Sequence, residues 1–212
     1  MFRYSFLLII LAGIVLSANA QTRKNVRYKD IIFSSVTVDE DLSYHPNASK
    51  EDKKSYLFDI YQPRNDTSQY RPLIIWMHGG GFKFDTKEAK GVALWSKTFA
   101  QRGYVCASIN YSLSKENTLF KFDKFIAASY YAVQDAKMAV LYFKEHYKEY
   151  HINPNKIILA GNSAGGIIAV QTAYSTNIEL AKIAGLPDTV TGAKESELFK
   201  VAGVINFWGG HF

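Results

Sequence analysis

Gly161-Asn162-Ser163-Ala164-Gly165 places a serine hydroxyl between two glycines, with an apolar run, Lys156 to Ala160, before it and a helical pattern, Gly166 to Tyr174, after it. A chain that turns from strand to helix within one residue must strain the backbone at that residue, and side chains two positions to either side would collide. Glycine at both ends answers that crowding, and the strained turn lifts the serine clear of the sheet while the new helix points free N–H groups at the same place. The chemistry such a hydroxyl can do is nucleophilic attack on an acyl carbonyl.

A second cluster, His78-Gly79-Gly80-Gly81, follows another apolar run, Leu73 to Met77, and lies 85 residues before Ser163. Consecutive glycines let backbone N–H groups approach a substrate without side chains in the way. Donors of this kind stabilise a developing oxyanion by about 3 kcal/mol each. Both clusters fall at the C-terminal end of a predicted strand, which is where α/β sheets place ligands. His78 has the shape of a base, yet this pattern works through the backbone that follows it, so the sequence assigns His78 to shaping the loop.

Elements that could position these two clusters alternate along the chain. Ile31 to Val38 and Tyr56 to Tyr61 read as strands of mixed character joined by the polar stretch Glu40 to Lys54, and suit an antiparallel sheet edge. Leu73 to Met77, Tyr104 to Ile109, Lys156 to Ala160 and Val201 to Phe207 are nearly continuous apolar runs, as expected of strands buried on both faces. Val133, Ala136, Val140, Phe143 and Tyr147 mark a helical face, and Asn153-Pro154-Asn155 reads as the turn into the next strand. The pattern predicts an α/β fold, a mostly parallel sheet with helices on both faces.

The 212 residues are 48% hydrophobic, enough for one sizeable core, and residues 31–212 show no repeat or linker that would divide them. Residues 1–20 stand apart: Arg3, the apolar stretch Phe6 to Leu16 and Ala18-Asn19-Ala20 match a cleavable secretory signal, and the stretch is short for a membrane anchor. The expected location is therefore secreted or periplasmic, with no stable membrane anchor. Of 25 basic residues one lies in that signal, leaving 24 against 19 acids with no basic stripe, which argues against a nucleic-acid partner. The basic run in residues 21–30 reads as a solvated lead-in. Cys106 is the only cysteine, so no intrachain disulfide or cysteine-based metal site forms, and it reads as a buried inert thiol. No cofactor or metal is expected. Asn47, Asn65 and Asn110 begin N-x-Ser/Thr acceptor patterns.

Phe58-Asp59-Ile60-Tyr61-Gln62-Pro63, Trp76 through Phe82, Ile109-Asn110-Tyr111-Ser112-Leu113 and Gln134-Asp135-Ala136 through Gly166 together resemble the carboxylesterase and lipase branch of the α/β-hydrolases, its small feruloyl-esterase-like and hormone-sensitive-lipase-like members in particular. The resemblance spans residues 56–209. It implies hydrolysis of a small-molecule ester through an acyl-enzyme, with Ser163 as nucleophile and the N–H groups of Gly80, Gly81 and Ala164 as the oxyanion hole. Ser112 departs from it, since relatives carry arginine after Tyr111, which implies that a buried ion pair is missing. In this fold an acid and then a histidine follow the serine, but only 49 residues follow Ser163. Asp188, Glu195 and Glu197 come too early for the acid, and His211 falls where the resemblance does not put the base. The expectation is thus the N-terminal part of a hydrolase domain with its last strands missing: a truncated product, partial reading frame or decayed copy. A non-catalytic protein of the same fold is the alternative.

Overall fold

In a computed structural model of the chain, residues 24–186 and 199–210 are described. The signal at residues 1–20, the acids Asp188, Glu195 and Glu197, and His211 lie outside them. The described residues form six strands, β1 (Val36–Ser43), β2 (Leu57–Pro63), β3 (Arg71–Met77), β4 (Val105–Ile109), β5 (Ile152–Asn162) and β6 (Gly203–Phe207). Four helices join them: α1 (Lys90–Ala100), α2 (Phe122–Glu145), α3 (Ala164–Tyr174) and α4 (Asn177–Ala184).

All six strands make one sheet in the order β1-β2-β4-β3-β5-β6. β3 runs parallel to β4 and β5, and β5 parallel to β6, while β1 and β2 attach antiparallel at one edge. Parallel neighbours need long crossovers, and helices supply them. The period-2 alternation of each strand then serves two cores. Leu73, Ile75 and Met77 of β3 face α2, α3 and α4 together with Val105, Ala107, Ile157 and Leu159. Ile74 and Trp76 face α1 on the opposite side with Cys106 and Ala160. Because both faces are covered there, β3, β4 and the second half of β5 carry the apolar runs seen in the sequence, whereas β6, read as buried on both faces, is only half-buried at the sheet edge. The mostly parallel sheet with helices on both faces matches the expected fold class.

Several boundaries differ from the sequence reading, each for a tertiary reason. Ile31 to Ser35 are not strand: the amides of Ile32 and Phe33 donate to the Gln101 carbonyl at the end of α1 instead (both 3.0 Å). β1 consequently begins at Val36 and continues into the stretch read as polar connection, with a bulge between Asp39 and Leu42. Tyr147 falls beyond α2, which ends at Glu145, and packs on the core from the following turn. Asn153-Pro154-Asn155 lies inside β5 rather than before it, as a bulge between the pairs Arg71–Ile152 and Leu73–Ile157, with the Asn153 side chain accepting the Asn155 N–H (2.9 Å). The basic lead-in is also less solvated than its composition suggests. Arg27 grips Asp66 through both guanidinium nitrogens (3.2 and 2.5 Å), donates to the Gly103 carbonyl (3.1 Å), and its partner Asp66 is shared with buried Arg71 (3.6 Å).

Candidate active site

Ser163 is the single residue between β5 and α3, and its backbone (φ 51°, ψ −119°) lies outside both regular conformations. A non-glycine residue at such a position stores about 1–3 kcal/mol of strain and persists only where its surroundings hold it. They do: the Ser163 amide donates to the Phe207 carbonyl of β6 (2.9 Å), and its own carbonyl accepts the Ile167 N–H (3.0 Å). A Cβ on Gly161 would lie 2.3 Å from the Gly165 carbonyl carbon, and one on Gly165 only 2.1 Å from the Met77 carbonyl oxygen. Both glycines are therefore required by close backbone approach. Ala164 opens α3, so its N–H belongs to the first turn, which has no acceptor within the helix.

The second loop arrives at the same sheet end because β3 pairs beside β5 with Met77 opposite Gly161. The two loops touch: a Cβ on Gly79 would stand 2.8 Å from the Asn162 side-chain nitrogen. Gly80 (φ 102°) and Gly81 (φ 61°) turn through the left-handed region, and the Gly80 carbonyl accepts the N–H groups of Lys83 and Phe84 (both 3.1 Å). Among the described residues no protein acceptor takes the N–H of Gly80 or Gly81.

The side chains around this loop brace its carbonyls. Tyr111, almost wholly buried, points its hydroxyl at the carbonyls of His78 (2.8 Å) and Gly79 (3.2 Å), and Thr118 donates to that of Gly81 (2.6 Å). His78 is stacked on Tyr111 with ring centres 4.3 Å apart, and its Nδ1 bonds the Gly79 carbonyl (2.7 Å). Burial holds the His78 pKa below the usual histidine range, which keeps the ring neutral. With Nδ1–H spent on Gly79 and the ring enclosed, His78 serves as a prop of the loop. Among the described residues the Ser163 hydroxyl has no hydrogen-bond partner.

The strand pairing therefore gathers Ser163, Gly80, Gly81 and Ala164 at one sheet end. Sequence reasoning missed the third component, the turn after β6. There the Asn206 side chain brackets Gly209, accepting its N–H (2.8 Å) and donating to its carbonyl (2.9 Å). The same Oδ1 fills the space a Gly166 Cβ would need, 2.3 Å away. Trp208 (φ 49°) is left 74% exposed in this turn, one residue from the carbonyl that holds Ser163. Leu119 was also missed: its Cδ2 sits 2.7 Å from where a Gly81 Cβ would be, walling the glycine loop. The glycine pairs 165–166 and 209–210 were the available signal for the first of these; nothing local announced Leu119.

Comparison with known proteins places the family and the fold. The model of the BD-FAE family matches residues 58–211. Venom carboxylesterase-6 of Apis mellifera is 32% identical over 123 residues, covering 58% of this chain and 21% of that protein. Esterase LipQ of Mycobacterium tuberculosis is 29% identical over 139 residues, 65% of this chain and 29% of its own length. Among solved structures, the thermophilic esterase Est2 of Thermogutta terrifontis superposes with a TM-score of 0.57 at 21% identity, over 81% of this chain and 53% of that one. The shared fold is that of these α/β-hydrolases, and the chain spans under a third of these two curated relatives and about half of this solved structure.

Proposed function

The chain belongs to the BD-FAE family, and we propose on that premise that it is a carboxylic ester hydrolase working through an acyl-enzyme at Ser163. The observation that carries this reading is the Ser163 elbow, strained at φ 51° and set at the sheet end beside a loop whose Gly80 and Gly81 N–H groups find no acceptor among the described residues. The esterase names of Venom carboxylesterase-6 and LipQ supply the substrate class, a small-molecule ester.

In the reaction the Ser163 Oγ attacks the ester carbonyl carbon, and the carbonyl π pair moves onto oxygen. The N–H groups of Gly80, Gly81 and Ala164 hold that oxyanion in a site prepared before the charge appears. Collapse expels the alcohol, which leaves with a proton, and water then attacks the acyl-enzyme to release the acid. The proton of Ser163 needs a base, and His78 is not one, since its ring is buried and committed to Gly79. A serine with donors but no base keeps an acceleration of only about 10³ to 10⁴ over water.

A fluorophosphonate probe should label Ser163 in a form of the protein that carries an acid and a histidine after it, and Ser163→Ala should abolish the label. Hydrolysis of a chromogenic short-chain ester, read in parallel, reports whether a base completes the cycle. Absence of labelling, with a known serine esterase labelled beside it, would overturn the reading in favour of a non-catalytic protein of this fold. Residues 1–20 are proposed as a cleaved secretory signal, from Arg3, the apolar run to Leu16 and Ala18-Asn19-Ala20. Sequencing the N-terminus of exported protein tests this: a start at Gln21 is expected, and Met1 retained on the exported chain would refute it.

A further inference from the structure

Three carboxylates sit deep among the described residues, and two of them hold cations: Asp59 binds Lys87 (2.7 Å), and Asp66 binds Arg27 and Arg71. Asp135, on α2 and 5% exposed, forms no ion pair among the described residues. Its support comes from Ser112, whose amide donates to Oδ2 (2.7 Å) and whose hydroxyl reaches the same carboxylate. Removing one charge from water without a counter-charge is costly, which is why buried charges are found paired.

Asp135 also lines a cavity of about 460 Å³, walled by Tyr56, Ser112, Leu113, Lys124, Tyr131 and Gln134. The cavity shares no lining residue with the glycine loop or the Ser163 elbow. Other charges near it are Lys115, Glu116 and Lys124 on its lining, and His45, whose field also reaches Asp135. Lys124 is turned toward Asp123 (3.9 Å) and is 42% exposed, so its ammonium does not neutralise Asp135. Two tyrosine rings on the wall suit a flat or alkylated cation, which an aromatic face attracts. A metal ion suits the site poorly, because hard cations demand several oxygen ligands, and no group of three His, Cys, Asp or Glu able to hold one occurs among the described residues.

We propose that this cavity is a binding site for a small organic cation, a guanidinium or primary alkylammonium group, with the Asp135 carboxylate as its counter-ion. Binding here is independent of ester hydrolysis at Ser163, so it is read by affinity.

The test is calorimetric titration of the chain with methylguanidinium at millimolar concentration and pH 7.5, against neutral methylurea of the same shape at matched ionic strength. Saturable binding of the cation alone is expected. Asp135→Asn should weaken it about tenfold or more, as loss of a charge-assisted hydrogen bond requires. Ser112→Arg, which tethers a guanidinium beside Asp135, should abolish the response while raising the melting temperature. Because that variant keeps Asp135, it decides the matter even if Asp135→Asn folds poorly. Equal binding of methylurea, binding retained in Ser112→Arg, or no saturable binding to the wild-type chain would each overturn the proposal.

Discussion

Replacing Asp135 by asparagine should stabilise the protein at neutral pH and leave it unchanged near pH 4. Burial pushes the Asp135 carboxyl up to about 6 from its ordinary 3.8, with the Ser112 hydrogen bonds opposing the shift only in part. In this direction the folded state keeps its proton where the unfolded state has lost it. The favourable contribution is therefore complete below pH 3.8 and disappears as pH rises to about 6. A difference of about two pKa units corresponds to ~3 kcal/mol. Asparagine keeps the acceptor for the Ser112 amide and never ionises. Urea unfolding of both proteins at intervals from pH 4 to 8 reads the difference at this group, since most other titrations are common to the pair. The difference in unfolding free energy should grow from near zero to ~3 kcal/mol in favour of Asp135→Asn and level off above pH 6. A difference that stays flat across the range, or favours aspartate at pH 8, would refute the reasoning.

Gly165→Ala should prevent native folding or cost about 3 kcal/mol or more, at or above the top of the usual range for overpacking with backbone shifts, since its Cβ would meet the Met77 carbonyl oxygen at 2.1 Å; circular dichroism with urea denaturation reads this. Tyr111→Phe removes the hydroxyl that serves the buried carbonyls of His78 and Gly79. It should lower stability by about 1–3 kcal/mol and slow fluorophosphonate labelling at Ser163, while unchanged labelling would show that the glycine loop needs no such brace. Lys87→Met strands Asp59, whose side chain is 4% exposed, and should cost about 3–5 kcal/mol in urea denaturation, as breaking a buried pair does. Cys106, fully buried and with its thiol pKa pushed up by burial, should react with a thiol reagent only after denaturant unfolds the chain; prompt labelling of native protein would refute that placement.

What the sequence determined by itself was whatever a few neighbouring residues decide. A one-residue passage from strand to helix crowds positions 161 and 165 into being glycine, so the Ser163 elbow was legible from five letters. Strands buried on both faces are apolar at nearly every buried position, so β3, β4 and the second half of β5 announced themselves, and with them the parallel sheet. The ends of elements were less legible, because a terminal residue can satisfy its backbone or bury its side chain on whichever neighbour the fold brings near: Ile32 and Phe33 bond the end of α1, and Tyr147 packs on the core from beyond the helix.

Only the tertiary structure decided what meets what. Nothing in the spacing of 85 residues between the two motifs says that Met77 will stand opposite Gly161; that register follows from packing summed over both faces of β3 and β5. Asn206 beside Gly166 and Leu119 on Gly81 are contacts between residues 40 and 38 positions apart. Arg27 reads as one more solvated cation until Asp66 is folded against it, and Asp135 as one more helix carboxylate until α2 packs and leaves it with no ion pair among the described residues. Local sterics act between atoms a few bonds apart and are written in adjacent residues. Burial, pairing and the shifted ionisation that follows from them depend on which distant surfaces exclude water, and that is set only when the chain closes on itself.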